Sequence, residues 1–410
     1  MSADGDARLL ASRILDSLPR AAPVFRSLRL ATAIAGAFMV LAPARAALSY
    51  PQWQLTSGAR RCNECHYAPA GGGLLRGYGR YAAGEELSTF GGDGAFLHGA
   101  VALPAWLALG ADLRGAFVDN DVQDPAGPTA AAFPMQADAS VRVAFPAGVS
   151  LAAIVGLRGQ VRDPDVLVPI QNYQPVSTSE VVSREHYLLV QPDPVGVYLR
   201  VGRFFAPFGL RFAEHIFYVR RDLGFDELEE TYNVSAGVIQ PEWELHVSLF
   251  GPDFVRHIGS NESGVAAYFE RRLANDDVAV GAQARVDTAA GRTRIIVGGI
   301  AKGYVERART MLFAEIDGVR WQFEDPHLPG YEQVIGIAGL TLLPIPGIMA
   351  TLAAERNQLD VEIPDAWSAG DALVSWFPWA HFELQVLGRL QLPTGGELAK
   401  TFFFQLHYFL

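Results

Sequence analysis

From about Pro104 to Leu410 the chain consists of segments of 8 to 14 residues in which apolar side chains alternate with small or polar ones. This period of two is typical of β-strands, because successive side chains of a strand point to opposite faces of the sheet. In Leu107–Phe117, for example, mainly apolar residues fall on one face, whereas Asp112 and Arg114 fall on the other. One face suits lipid and the other suits water. The pattern therefore predicts an all-β, antiparallel, up-and-down transmembrane β-barrel.

Turn-forming residues separate these segments and predict that consecutive strands pair. They include Asn275-Asp276-Asp277, Ala289-Ala290-Gly291, Asp317-Gly318 and Pro344-Ile345-Pro346-Gly347. There are about 16 or 17 segments, and single-chain bacterial barrels have even strand numbers, so we expect about 16 strands, with 14 and 18 as alternatives. A soluble β-sandwich has the same alternation and is the alternative fold.

The chain ends in a further alternating segment, in which Phe402, Phe404, Leu406, Tyr408 and Leu410 share one face. It resembles the C-terminal closing strand by which outer-membrane barrels are recognised for assembly. Tyr408 matches the aromatic residue that this pattern has third from the end, although the last residue is Leu where the pattern usually has Phe. The resemblance favours a barrel of the bacterial outer membrane over a soluble sandwich.

The N-terminus has the pattern of a secretory signal peptide. Arg26 and Arg29 precede the apolar run Leu30–Ala42, and Ala44–Ala46 follows as a small-x-small cleavage site. We therefore expect residues 1–46 to be a signal peptide, with an N-terminal membrane anchor as the alternative. The roughly 25 residues ahead of Arg26 are long for such a signal and also fit a misplaced start codon. Elsewhere no stretch approaches the roughly 20 uninterrupted apolar residues of a membrane-spanning helix.

The charge of the chain limits its partners. Cleavage after Ala46 would remove six arginines and three aspartates, which takes the formal net charge from −11 to −14. Such a chain lacks the net positive charge that attracts nucleic acid, so we expect no nucleic acid as a partner. The lipid bilayer is the expected partner of the barrel. A homo-oligomer is a further expectation that the resemblance to porins implies, since porins are often trimers.

The only two cysteines of the chain occur in Cys62-Asn63-Glu64-Cys65-His66. This Cys-x-x-Cys-His spacing is the signature of c-type haem attachment and resembles that of c-type cytochromes. Two thiols three positions apart reach the two vinyl groups on one edge of the porphyrin, and the next residue supplies the proximal iron ligand. We therefore predict one covalent haem c, attached through Cys62 and Cys65, with His66 as an iron ligand.

Other uses of the two cysteines fit less well. A thioredoxin-like redox pair belongs near a βαβ pattern that this stretch lacks, and a zinc site needs further Cys or His ligands nearby. The sixth iron ligand stays open, because no Met occurs between Met39 and Met135. His98 is the nearest other histidine and the distal candidate. Met135, His186, His215 and an open sixth site are the alternatives.

Residues 47–103, between the expected cleavage site and the barrel, are rich in Gly, Arg and Tyr and show no sustained period. We expect them to form a short, irregular or helical haem-binding segment ahead of a barrel over 104–410. Within it, Ala68–Gly73 lets the backbone turn sharply and pass close to a flat ligand. So short a segment covers the apolar faces of a haem only in part, and it is expected to pack into a mouth or the lumen of the barrel.

Four arginines mark the passage from a predicted strand into a long loop over Gly202–Phe225. This passage resembles those of porins of the phosphate- and polyphosphate-selective kind. The arginines are Arg203, Arg211, Arg220 and Arg221. They fit a pore lining for anions, and they also fit ion pairs with nearby acidic residues that only fasten the loop.

These features together resemble a porin and a monohaem cytochrome fused in one chain. They predict an outer-membrane c-type cytochrome that transfers electrons, with the haem segment facing the periplasm or the barrel lumen. One haem cannot carry electrons across a hydrocarbon layer roughly 30 Å thick, so redox partner proteins are expected in the periplasm or outside the cell.

Two other functions stay open. One is a solute or anion porin with a haem-bearing plug or redox gate, and the other is a haem enzyme or sensor with an open sixth iron site. No catalytic triad, carboxylate pair or phosphate loop is evident, which favours an electron carrier over an enzyme.

Overall fold

The computed structural model describes residues 54–56, 59–121, 129–158, 181–226, 229–252, 262–274, 276–289 and 291–410. The expected signal peptide, residues 1–46, lies outside the described residues. Among the residues that are described, no helix is long and apolar enough to cross a membrane.

Sixteen antiparallel strands close into one barrel, in which each strand pairs with its neighbours in sequence and β1 pairs with β16. The strands are β1 Leu107–Asn120, β2 Thr129–Ala144, β3 Val149–Arg158, β4 Val181–Val190, β5 Gly196–Phe204, β6 Thr231–Ile239, β7 Trp243–Gly251, β8 Ser263–Leu273, β9 Val278–Ala289, β10 Arg292–Val305, β11 Thr310–Phe323, β12 Tyr331–Ile345, β13 Ile348–Asp360, β14 Asp365–Trp376, β15 Phe382–Pro393 and β16 Ala399–Phe409. The predicted up-and-down all-β barrel and its strand number are confirmed.

The two faces of the strands differ as their alternation predicts. Leu113 and Val286 point outward and are 45% and 39% exposed, whereas Gln283 and Arg285 point into the lumen and are each 3% exposed. Many of the buried polar side chains of the lumen bond to one another, which satisfies polar groups that are away from water. Gln283, for example, donates from Nε2 to Asp317 Oδ1 at 2.7 Å.

One predicted turn is wrong. Asp317-Gly318 lies in the middle of β11. The other three predicted turns fall where consecutive strands meet, although Asn275 and Ala290 lie outside the described residues. The Asp317 carboxylate points into the lumen, and Gly298, its partner across β10 and β11, leaves the space that this carboxylate fills. Asp317 therefore packs within the barrel wall beside Gly298 and does not form a turn.

Short helices lie outside the strands. Helix α1 (Cys62–Cys65) and helix α2 (Gly77–Tyr81) precede the barrel, and α2 continues into a π-helical turn at Ala82–Glu86. A 3-10 turn follows at Phe96–Gly99, and helix α3 (Tyr218–Arg221) lies in the connection between β5 and β6. Two further 3-10 turns, Pro146–Gly148 and Glu306–Ala308, lie in strand connections.

The two ends of the barrel have different connections. At one end, the short-turn end, all seven connections contain two to five residues, whereas the connections at the opposite end include the long one between β5 and β6. The described residues between Gln54 and Leu103, the N-terminal segment, lie against the short turns. Asn63 Nδ2 donates to Pro194 O at 2.7 Å in the β4–β5 turn, and Thr89 N donates to Phe377 O at 2.8 Å in the β14–β15 turn.

The N-terminal segment also reaches the lumen, where Gln54 Nε2 donates to Glu270 Oε1 on β8 at 3.1 Å. From the other end, the β5–β6 connection Phe205–Glu230, the inward loop, folds into the barrel. Its apolar residues form one buried cluster with lumen-facing residues of the wall, and the loop members are Phe208, Leu210, Phe212, Phe217, Tyr218, Val219 and Leu223. The interior of the barrel is thus filled by two segments that enter from opposite ends.

Candidate functional site

A cavity of about 450 Å³ lies in the barrel where the N-terminal segment and the inward loop approach each other. Cys62 and His66 line it from the segment, Arg211 and His215 from the loop, and Tyr268 from the wall. Its volume falls in the range of roughly 300–1,000 Å³ that is usual for sites of small molecules and cofactors. The cavity therefore brings Cys62 and His66 of the motif together with the inward loop, whereas Cys65 is not among the residues that line it.

Helix α1 positions the two cysteines one turn apart. It ends where His66 N donates to Cys62 O at 2.9 Å, and both thiols are free of a disulfide. Cys62 is half-buried on the cavity, whereas Cys65 is fully buried. Cys65 packs against Gly79 of α2, where a Cβ would lie 2.5 Å from Cys65 O. Only glycine at position 79 permits this approach of the two helices, and Gly79 itself lines the cavity.

The glycine-rich turn holds His66. Gly71, with φ of +83°, passes so close to α1 that a Cβ there would lie 3.0 Å from Cys62 Cβ. Two residues on, Gly73 O lies 3.4 Å from His66 Nδ1. In the tautomer with its proton on Nδ1, the ring donates to this carbonyl and keeps the Nε2 lone pair for another partner. Burial lowers the pKa of His66 to about 4, so the imidazole is neutral at physiological pH.

Three of the four arginines of the strand-to-loop passage fasten the inward loop. Arg203 pairs with Glu230 at 3.2 Å, and Arg221 pairs with Asp222 at 2.7 Å. Arg220 donates to two backbone carbonyls from Nη1, at 2.6 and 2.7 Å, and to a third from Nε at 3.2 Å. The sequence left two roles open for these arginines, a pore lining for anions and contacts that fasten the loop. The contacts of these three favour the second role.

Arg211 differs from the other three. Its Nη2 lies 4.0 Å from Cys62 Sγ, and its guanidinium lies over the Tyr268 ring, 5.1 Å from the centroid. Its Nη1 is buried without a hydrogen-bond partner among the described residues. Burial disfavours its charge, but Cys62, Tyr268 and nearby carboxylates outweigh burial and raise the pKa of Arg211. Arg211 therefore keeps its positive charge beside Cys62. Burial raises the pKa of the Cys62 thiol, and the charge of Arg211 opposes this shift.

The inward loop also carries two buried carboxylic acids outside the strands. Burial raises the pKa of Glu214 to about 7, and it does the same for Glu230 although Arg203 opposes the shift. Neither carboxylate oxygen of Glu214 has a hydrogen-bond partner among the described residues. These groups titrate near neutral pH within the lumen.

Not all of the candidates for the sixth ligand lie at the cavity. His215 lines it and bonds through Nδ1 to Asp226 Oδ1 at 2.8 Å. His98 lies elsewhere, at the short-turn end, with its ring 4.7 Å from that of His381 and its Nε2 3.3 Å from Tyr408 Oη. Met135 and His186 are not among the residues that line the cavity.

Sequence reasoning did not find Tyr268 or Gly79. Tyr268 resembles any other inward aromatic residue of an alternating strand, and only the contact with Arg211 distinguishes it. Gly79 is one of 41 glycines, and nothing in its neighbourhood indicates that it meets Cys65.

Comparison with known proteins agrees with the fold. No protein-family model and no curated protein matches the sequence. OmpT, an outer-membrane protein of Vibrio cholerae, is 9% identical with a TM-score of 0.55, and the match covers 76% of this chain and 100% of that one. The outer membrane channel DcaP of Acinetobacter baumannii is 13% identical with a TM-score of 0.50, over 74% of this chain and 97% of that one.

The outer membrane protein opdK from Pseudomonas aeruginosa is 10% identical with a TM-score of 0.50, over 74% of this chain and 98% of that one. At such low identities these similarities show a shared fold, which is the porin-like barrel of outer-membrane proteins.

Proposed function

We propose that the protein is a bacterial outer-membrane barrel that holds one covalent haem c in its lumen and transfers electrons through it. The observation that carries the proposal is that Cys62 and His66 line one lumenal cavity. When bound, the haem supplies a one-electron ferric–ferrous couple. The residues of the chain hold it, cover its faces and set its surroundings.

The residues present fit such a group. Histidine ligands of metals usually donate their second ring N–H to a carbonyl or carboxylate, and the Gly73 carbonyl is available to His66 for that contact. Cys62 and Cys65 are the residues that would form the thioethers. Cys65 is fully buried and does not itself line the cavity, but it packs against Gly79, which does. Leu74, Leu87 and Phe208 contribute apolar surface to the same lining, which suits the flat faces of a porphyrin.

The ends of the barrel support an orientation. Outer-membrane barrels have short periplasmic turns and longer extracellular loops. The N-terminal segment lies against the short turns, so its exposed side would face the periplasm. Electron donors or acceptors in the periplasm would then approach the haem from this side, and partners outside the cell would complete a path across the membrane.

Haem staining and spectroscopy of the full chain test the proposal. The protein is expressed with a c-type cytochrome maturation system, and its outer-membrane fraction is analysed by denaturing electrophoresis with haem staining. We expect stained haem in the band of the protein, and no stain for the Cys62→Ala/Cys65→Ala variant at equal amounts of barrel. Loss of haem from the wild-type band on denaturation would refute covalent attachment. Carbon-monoxide binding by the reduced protein would favour a haem enzyme or sensor.

A second candidate is a solute or anion channel whose N-terminal segment is a plug or redox gate. Seven Arg and Lys residues but five Asp and Glu residues line the cavity, and this excess of positive charge favours anions. The likeness to the DcaP channel also supports it. Single-channel recording in lipid bilayers with the full chain distinguishes the two functions. Anion-selective current that changes on reduction supports the gate, and the absence of current supports the electron carrier.

A further inference from the structure

We propose that Arg211 raises the reduction potential of the lumenal haem by keeping its guanidinium against the haem edge that Cys62 anchors. This inference rests on the proposed function and deepens it, since it assigns a positioning role at the same site. Arg211 belongs to the inward loop, and it comes to the motif across 149 residues of sequence. The test below separates a failure of this inference from a failure of haem binding itself.

The argument depends on one distance and on covalent chemistry. A thioether joins a haem edge directly to the sulfur of its cysteine, so the edge cannot lie far from Cys62 Sγ. Arg211 Nη2 lies 4.0 Å from that sulfur. A haem attached at Cys62 would therefore have the Arg211 guanidinium near its attached edge.

No described carboxylate lies within ion-pair distance of the Arg211 guanidinium, although Glu244 and Glu270 act on it from farther away. Two of the carboxylates that act on Arg211 have other cations, since Glu270 pairs with Lys302 at 2.6 Å and Glu244 with Arg272 at 3.4 Å. Tyr268, under the guanidinium, donates its hydroxyl to Glu270 at 2.6 Å. Arg211 Nη1 has no hydrogen-bond partner among the described residues. The positive charge of Arg211 thus acts on what lies in the cavity.

The inward loop is built to hold Arg211 in place. Its φ of +54° lies in the left-handed region, which non-glycine residues adopt at a cost. Just before it, Gly209 N donates to Gln283 Oε1 at 2.9 Å and Leu210 N donates to Glu315 Oε2 at 2.8 Å. These bonds to the barrel wall fix the backbone, and the strained conformation persists because its surroundings determine it.

The sign of the effect follows from charge. Reduction of a bound ferric haem would add one electron from an external one-electron donor, and no bond would form or break. The ferric form carries one more positive charge than the ferrous form, so a nearby cation destabilises it more. Because the guanidinium is partly buried, this effect is screened less than it would be at an exposed surface. Removal of the guanidinium should therefore lower the reduction potential.

Potentiometric titration of the purified full chain, with dithionite as reductant and ferricyanide as oxidant, tests the inference. We expect Arg211→Gln and Arg211→Met to shift the ferrous–ferric equilibrium roughly tenfold towards the ferric form, or about 59 mV for one electron. Arg211→Lys keeps the charge and should retain most of the wild-type potential. Arg221→Gln is the matched control, because Arg221 is paired with Asp222 and does not line the cavity.

Each outcome decides the inference. Stained covalent haem in all variants, with lower potentials only in the two neutral Arg211 variants, supports it. Retained haem with unchanged potentials in those variants overturns it and leaves the proposed function standing. Wild-type protein without covalent haem overturns both. If one neutral variant fails to assemble, the other neutral variant and Arg211→Lys still give the comparison.

Discussion

The two segments inside the barrel are held in different ways. The inward loop contributes seven buried apolar residues to a single cluster with the wall, among them Phe217 and Tyr218 with no exposed surface. The N-terminal segment buries mainly alanines and a few leucines, and it leaves Tyr81 and Phe90 more than half exposed. Burial of large apolar groups holds the loop, whereas hydrogen bonds and close contacts of small residues hold the segment. The loop is thus part of the barrel core, whereas the segment buries less large apolar surface.

The largest expected difference comes from removing one ring from each segment. Phe217→Ala removes a fully buried ring that packs edge-on against Phe212 at 5.2 Å, and should lower the free energy of unfolding by about 3–5 kcal/mol. Phe90→Ala removes a ring that is 64% exposed, and should cost less than about 1 kcal/mol. Urea unfolding of the detergent-solubilised protein, followed by circular dichroism, measures both. Equal losses of unfolding free energy in the two variants would show that burial of large apolar groups does not distinguish the loop from the segment.

A buried carboxyl group in the inward loop should make the barrel sensitive to pH. Burial raises the pKa of Glu214 to about 7, above the value of about 4.3 in an unfolded chain. The folded state binds the proton of the Glu214 carboxyl group more tightly than the unfolded state does. The stability that the protonated group contributes is therefore present below about pH 4.3 and is lost as the pH rises to about 7.

Glu214→Gln, which stays uncharged, should therefore raise the free energy of unfolding by about 3 kcal/mol at pH 8 and change it least at the lowest pH. Unfolding curves across this pH range measure the difference between variant and wild type. A difference that is the same at every pH would contradict the assignment. Glu229→Gln is no matched control, because burial raises the pKa of Glu229 to about 7 as well.

The N-terminal segment should be most sensitive where its helices touch. Gly79→Ala would place a Cβ 2.5 Å from Cys65 O, so α1 and α2 must separate, at a cost of about 1–3 kcal/mol. Gly77→Ala on the same helix meets nothing within 4 Å and is the matched control. Limited proteolysis of the assembled barrel should cleave the segment faster in Gly79→Ala only, and this variant should also carry less stained haem. Equal cleavage in both variants would show that the contact does not hold the segment.

Much of the barrel could be predicted from the sequence. Its wall separates lipid from a polar lumen, so apolar outward side chains alternate with polar inward ones along every strand. Leu113 and Arg285 obey this alternation, and so the strand number and the two faces follow from it. Asp317-Gly318 misled the same reasoning, since an Asp-Gly pair is common in turns and the space beside Gly298 is a property of pairing across the sheet.

The candidate site could be predicted only in part. The spacing of Cys62, Cys65 and His66 is local and can be read directly, whereas the approach of Arg211 depends on how a long loop folds back into the lumen. The four arginines of the strand-to-loop passage look alike in sequence. Their different partners are set by the tertiary structure, so no local signal separates Arg211 from Arg220.

The smallest expected effect concerns His98, which was the distal candidate by sequence proximity. Its ring lies among His381 and Tyr408 at the short-turn end, and it does not line the cavity that contains His66. His98→Asn removes the imidazole while suiting the φ of +55°, because Asn tolerates the left-handed region. We expect unchanged reduced and carbon-monoxide spectra and a change in stability within about 0.5 kcal/mol. A variant that newly binds carbon monoxide would instead show that His98 ligates the iron, and that the N-terminal segment rearranges when haem is attached.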